Sequence, residues 1–131
     1  MIPDCYNDGV EPLGHLQLRI MLHIWRHGPA TVHEVHAGLN AQVGVKQLAY
    51  TTVLTVLRNL FKKRFLDRKP EGRQHRFMPL IAKEDYQVDM VRQMRVTLFG
   101  GDVEQMLRCI VGDEGIDGKK RGRIQEFIGN G

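Results

Sequence analysis

Residues 49–65 read AYTTVLTVLRNLFKKRF and run directly into LDRKPEGRQHRFMPL at 66–80. In the first segment Val53, Leu57, Leu60 and Phe61 recur at helical spacing as an inner face, which predicts a helix from about Ala49 to Arg64. The opposite face carries Thr51, Thr55, Arg58 and Lys62 at i, i+4, i+7 and i+11, flanked by Thr52, Asn59 and Lys63. Short hydroxyls at its N-terminal end permit close approach, and long cations follow behind them. That order suits insertion of the first turns into a DNA major groove. The second segment reads as two strands, Leu66 to Lys69 and Gln74 to Met78. Pro70-Glu71-Gly72-Arg73 joins them as a turn, with Pro at the second position and Gly after it. Arg73 and His75 then fall near the hairpin tip.

Charge singles out the same stretch. Between Lys46 and Arg76 nine Lys and Arg face only Asp67 and Glu71, a local net of +7. The 131-residue chain is +4, so the other 100 residues together sit at −3. A cationic helix followed by a cationic hairpin is an electrostatic footprint for a polyanion, and its shape fits double-stranded DNA.

Upstream, Leu18, Met21, Leu22 and Trp25 make an apolar helix face widened by Leu16, Ile20 and Ile24, with Arg19, His23 and Arg26 as the polar stripe. Gly28-Pro29 ends it. Thr31-Val-His-Glu34 has the spacing of a capping box, in which two side chains satisfy the free amides of a helix start reciprocally. Val32, Val35 and Leu39 continue as a short stripe, and a loop of about nine residues containing Gly44 follows.

Downstream of Pro79 the pattern is again helical. Tyr86, Met90, Met94 and Leu98 recur every four residues until Gly100-Gly101. Asp102 can cap a further helix with Met106, Leu107 and Ile110 on its apolar face. Gly112, Gly115 and Gly118 then break the chain before a last short helix with Ile124, Phe127 and Ile128, behind the basic cluster Lys119 to Arg123. Helices this short do not bury such stripes alone. The nearest cover is a second copy of the chain, which makes Tyr86, Met90, Met94, Leu98, Met106, Leu107 and Ile110 the expected dimerisation residues.

Several function classes drop out. There is no glycine-rich phosphate loop, no HExxH, and no serine anywhere, so an enzyme is not expected. His23 and His27 lie at i, i+4 and His33 and His36 at i, i+3, but no thiol or carboxylate completes a zinc set. These read as surface histidines, and neither metal nor cofactor is expected. Cys5 and Cys109 read as free thiols, Cys109 as buried in a helix. No apolar run has the length of a membrane span, and the acidic start does not read as a signal peptide, so a cytoplasmic protein is expected.

Three stretches, LGHLQLRIMLHIWRHGPATVHEVHAGL, AYTTVLTVLRNLFKKRFLDRKPEGRQHRFMPLIAKEDY and LFGGDVEQMLRCIV, resemble in order and spacing the penicillinase-repressor regulators of BlaI, MecI and CopY type. The resemblance spans about residues 13–111. It implies a winged-helix homodimer with interlocking C-terminal helices that binds an inverted repeat in a promoter and represses transcription. Carried over by position, recognition-helix contacts fall on Thr51, Thr52 and Thr55, and wing contacts on Arg73 and His75. Members controlling β-lactam resistance are cut between an asparagine and a phenylalanine in the penultimate helix; the matching stretch here, Met106-Leu-Arg-Cys-Ile110, lacks that pair. Copper-responsive members carry a cysteine-rich C-terminal motif, and no cysteine follows Cys109.

The expected architecture is therefore mostly α with a small β wing: a loose arm at 1–12, a winged helix-turn-helix at 13–80 and a helical dimerisation region with a basic tail at 81–131. The expected DNA-contacting set is Thr51, Thr52, Thr55, Arg58, Asn59, Lys62, Arg73 and His75, in a homodimeric, sequence-specific repressor. The alternatives are a winged-helix module that binds an acidic protein through the third helix, and a metal-responsive repressor.

Overall fold

The computed structural model describes residues 11–130. The expected arm at 1–12 and Cys5 therefore fall almost wholly outside the described residues. In chain order the elements are α1 (His15–His27), β1 (Ala30–Thr31), α2 (Val32–Asn40), α3 (Tyr50–Lys62), β2 (Leu66–Glu71), β3 (Gln74–Pro79), α4 (Lys83–Phe99), α5 (Val103–Val111) and α6 (Gly118–Asn130). The fold is thus mostly helical with one small antiparallel sheet, as the pattern predicts. By contacts the chain divides into two compact units, one extending to Val88 and the other beginning at Asp89.

In the first unit three helices and the sheet enclose one core. Ile20, Met21 and Ile24 of α1, Val35 and Leu39 of α2, and Val53, Leu57 and Leu60 of α3 are at most 1% exposed. The inward face of α1 is rotated from the expected one: Leu22 is exposed, and Ile20 and Ile24 are central. Phe61, expected inside, is only half-buried, with the Arg68 guanidinium 4.1 Å above its ring.

The sheet order is β1-β3-β2. Two residues, Ala30 and Thr31, form the unpredicted third strand, pairing with Phe77 and Arg76 of β3. Thr31 is also the N-cap of α2. Its Oγ1 accepts from the Glu34 amide (3.2 Å) and donates to the Glu34 carboxylate (3.3 Å). Only half of the expected reciprocal pattern forms, because the Thr31 backbone lies in the ladder opposite Arg76.

The wing is tighter than its sequence implies. β2 runs on through Pro70 and Glu71, and the turn is Gly72-Arg73 alone. Gly72 has φ +61° while Arg73 stays at negative φ, which is where a type II′ hairpin places its glycine. Pro70 therefore sits inside a strand opposite His75, not at a turn corner. It is tolerated because β2 is an edge strand.

Tyr86 corrects the expected division of labour. It is 7% exposed and belongs to the first unit's core, not to a free dimerisation stripe. Its ring lies 5.6 Å from Trp25 and 6.2 Å from Phe65, and its hydroxyl accepts from the Leu13 amide at 3.0 Å. Trp25 in turn donates from Nε1 to the Ile81 carbonyl at 2.9 Å. The winged-helix unit thus needs the first turns of α4 to close its core, and a boundary between residues 80 and 81 would cut through it.

At the end of α3 the Phe65 amide donates to Leu60 O (3.0 Å) and the Arg64 amide to Phe61 O (3.2 Å), a Schellman closure. Glycine usually occupies its left-handed position; here Arg64 does, at φ +68°. An L-residue with a side chain costs about 1–2 kcal/mol in that region, partly offset by the extra unfolded-state freedom of glycine. Arg64→Gly is therefore expected to stabilise the fold by roughly 0.5–1 kcal/mol, read as a higher urea midpoint with unchanged slope. A lower midpoint would show that the Arg64 side chain contributes more than its backbone costs.

Candidate nucleic-acid interface

The rotation of α3 is set by the three buried residues on its inner face, so its opposite side is turned outward. Thr51, Thr52, Thr55, Arg58, Asn59 and Lys62 are all exposed there, as are Arg73 and His75 at the wing. Between helix and hairpin runs a groove of about 560 Å³. Arg58 and Lys62 line it from α3, and Arg68, Arg73, Gln74 and His75 from the wing. The fold therefore joins the expected cations of helix and wing on one concave surface. Thr51, Thr52 and Thr55 do not line the groove; they are exposed on the N-terminal turns of α3, which also send Tyr50 and Leu54 into it. The sequence reading missed Tyr50, Leu54, Arg68 and Gln74. The available signal was strand alternation, which puts Arg68, opposite Phe77, on the other face from Asp67 and Lys69.

The start of α3 is positioned by α2. Asn40 Oδ1 accepts from the Leu48 amide at 2.8 Å and its Nδ2 donates to the Leu48 carbonyl at 2.9 Å, so one side chain closes the α2–α3 loop. His36 lies against the same carbonyl (2.9 Å) and meets the Tyr50 ring edge-on at 5.6 Å. Ala49, the N-cap of α3, provides no side-chain cap. The first amides of the helix therefore lack a side-chain cap and carry the partial positive charge of a helix start.

The cations are not equivalent. Arg76 bonds within the protein, donating to Glu34 (2.9 Å), to both carboxylate oxygens of Glu71 (2.8 and 3.1 Å) and to Pro29 O (2.9 Å). Those bonds, to Glu71 first and Glu34 second, raise its pKa further above the ordinary value. Lys63 pairs with Glu11 at 3.5 Å. Arg58, Lys62 and Arg73 have no acidic partner among the described residues, and Glu71 is taken up by Arg76. The groove is therefore more uniformly positive than the residue count implies.

In the second unit Met94, Leu98 and Ile110 are exposed, Met90 and Leu107 half-buried, and Met106 only 8% exposed. Met106 is thus covered by its own chain, a correction to its expected place on an open face. Cys109 also departs from expectation, being exposed on α5. Asp102 caps α5 as predicted, accepting from the Gln105 amide at 3.1 Å. α6 is longer than expected and includes the basic cluster; Asp117 caps it by accepting from the Lys120 amide at 2.8 Å. Arg121 is spent on the loop before α6, donating to Asp113 O (2.7 Å) and Ile116 O (3.3 Å). No group of three or more histidine, cysteine or acidic residues that could hold a metal occurs among the described residues. Nor is any described helix long and apolar enough to cross a membrane.

Three helices, a two-residue strand and a basic hairpin beside an exposed third helix define a winged helix-turn-helix protein. The penicillinase repressor family matches residues 13–130, and the chain belongs to it. Over 74 residues it is 40% identical to the transcriptional regulator BlaI of Mycobacterium tuberculosis, strains CDC 1551 / Oshkosh and H37Rv. That match covers 56% of this chain and 51% of the relative, so the chain spans about half the length of the curated relatives it matches. The solution structure of the DNA-binding domain of the repressor BlaI is similar with a TM-score of 0.51 and 28% identity, covering 59% of this chain and 90% of that one. A transcriptional regulator from Thermotoga maritima shares the fold alone, with a TM-score of 0.50 and 16% identity over 97% of this chain and 77% of that one.

The Arg76 junction gives a pH test. Its hydrogen bond to Glu71 holds that carboxyl below the usual glutamate value of 4.5. A depressed acid stabilises the fold fully above its unfolded pKa, and the contribution fades as pH falls through the folded one. Arg76→Gln should therefore move the Glu71 titration upward, toward 4.5, followed by side-chain carbon NMR. An unmoved titration would show that the wing does not depend on this pair.

Proposed function

We propose that the chain is a sequence-specific DNA-binding transcriptional repressor acting in the cytoplasm as a homodimer on an inverted-repeat operator. The observation that carries the reading is the concave cationic surface between α3 and the wing, with exposed threonines beside it on the N-terminal turns of α3. In this arrangement Thr51, Thr52 and Thr55 enter the major groove and read base edges, where short side chains let the helix approach closely. Arg58, Asn59 and Lys62 follow on the same helix and meet the sugar-phosphate backbone. The backbone then runs through the helix–wing groove, with Arg68 added to the expected contacts and Arg73 and His75 closing it from the hairpin. The family is one of transcriptional regulators, and the proposed activity is binding, without catalysis or a cofactor.

Dimerisation is assigned to the second unit, through Met94, Leu98 and Ile110 with support from Met90 and Leu107. Val91, Val103 and Phe127, each more than half exposed in the same unit, are further candidates. Two half-sites bound by linked copies gain affinity from effective concentration. Tyr86 and Met106 are left out of the interface because each is already covered.

Phosphate and base contacts should separate by mutation. Lys62→Ala is expected to weaken binding to every duplex and lower the salt slope by about 1. Thr51→Ala or Thr55→Ala should instead cost operator discrimination, on the order of 1 kcal/mol or more. Equal losses on operator and random duplex for the threonine variants would refute the readout role.

A chain ending at Val88 should remain folded, since Tyr86 is retained, yet run as a monomer in light scattering and bind a full operator far more weakly. A truncated chain that still dimerises would place the interface in the first unit.

A further inference from the structure

We infer that a second cationic depression, between the outer face of α1 and the α2–α3 loop, is a binding site for a small oxyanion, a phosphate or carboxylate ligand. Its volume is about 230 Å³, and it shares no lining residue with the helix–wing groove. Arg19, His23, Arg26 and His27 enter from α1 at i, i+4, i+7 and i+8, one face of the helix. Gln42 approaches from the loop and Leu39 supplies an apolar wall. Arg19 and Arg26 stand two turns apart, roughly 10 Å along the axis, so that both guanidiniums can reach a ligand lying between them. The described lining residues include neither aspartate nor glutamate.

Three observations distinguish this cluster from a solvated helix stripe. Arg19 is half-buried, and its Nη2 is enclosed with no hydrogen-bond partner among the described residues. Arg19 also lines the depression, so an oxyanion there would meet a guanidinium that is already partly desolvated and whose planar fork matches it. His23 is held in place from the other side. Gly38 of α2 leaves room for its ring, into which a Cβ at that position would run. The His23 and His27 rings lie 4.5 Å apart.

Burial, then the neighbouring His27, push the His23 pKa below its ordinary value, with Glu34 on α2 opposing. A bound anion acts in the opposite sense, so it binds more tightly as His23 protonates. The groups facing His23 are Arg19, Arg26 and His27 on its own helix and Glu34 on α2, and Glu34 is engaged by Arg76. A ligand held by α1 and Gln42 together would brace the loop that leads into α3.

The test uses the full chain in NMR and calorimetric titrations with inorganic phosphate and with succinate, each at ionic strength held constant with chloride. Saturable binding of one anion per chain is expected, shifting His23, His27 and Gln42 signals and tightening from pH 8 to pH 6. Arg19→Gln and Arg26→Gln should each weaken it at least tenfold, while Lys69→Gln on the wing leaves it unchanged. If Arg19→Gln fails to fold by circular dichroism, Arg26→Gln and Gln42→Ala carry the comparison. Shifts that never saturate, or that match chloride, would overturn the site. So would shifts seen only with duplex DNA, accompanied by a lower salt slope in Arg26→Gln, which would assign these cations to the DNA backbone. Saturation by zinc alone would likewise overturn it in favour of a metal held by the histidine pair.

Discussion

The complete burial of Val53, Leu57 and Leu60 on one side of α3 is the constraint from which the rest of the winged-helix unit follows. Each such side chain contributes on the order of 1.5–3 kcal/mol when removed from water, and the three lie on one stripe. Turning the helix by a single residue, about 100°, would drag this stripe into solvent and bring threonines or cations inward. Burial therefore fixes the direction in which Thr51, Thr55, Arg58 and Lys62 point. Helices α1 and α2 and strand β3 complete the enclosure around it. The exposed face of α3 is rigid because its hidden face leaves no alternative setting.

Polar contacts then fix what burial leaves free. Burial sets the roll of α3 but not the height at which it begins, and that is supplied by Asn40, which holds Leu48 by both backbone groups. The inclination of the wing is set at Arg76, where the Pro29 carbonyl before β1, Glu34 at the start of α2 and Glu71 near the hairpin tip meet one guanidinium. This cation appears in the sequence as part of the polyanion footprint, yet it acts as a brace. Its removal from the surface charge is matched by that of two acids, so the remaining field keeps its sign.

Period and punctuation made the three core helices, the hairpin and the Asp102 cap legible in the sequence, because each depends on neighbours within a few positions. The exposed set on α3 was legible for the same reason, as it is the complement of the buried stripe. What the sequence hid depends on contacts between distant segments. A strand of two residues has no period, and Ala30-Thr31 exists only because β3 lies beside it. Tyr86 matches the spacing of Met90 and Met94, but Trp25 and Phe65, far away in the chain, decide that it turns inward. The extent of β2 was misread because Pro70 suits a turn corner as well as an edge strand. The choice between them fell to Gly72, whose positive φ lets the chain reverse in two residues.

That same proline limits what the sheet can recruit. β2 is the open edge, and an open edge offers a row of unpaired amides and carbonyls to any passing strand. Pro70 removes one of those donors, and Lys69 and Glu71 on either side are charged and exposed. The opposite edge, β1, is only two residues long. Neither border can template a further strand, so a bare hairpin can stand out from the body without gathering other copies into a continuous ladder. Recruitment of another chain by backbone hydrogen bonding along this sheet is thereby disfavoured.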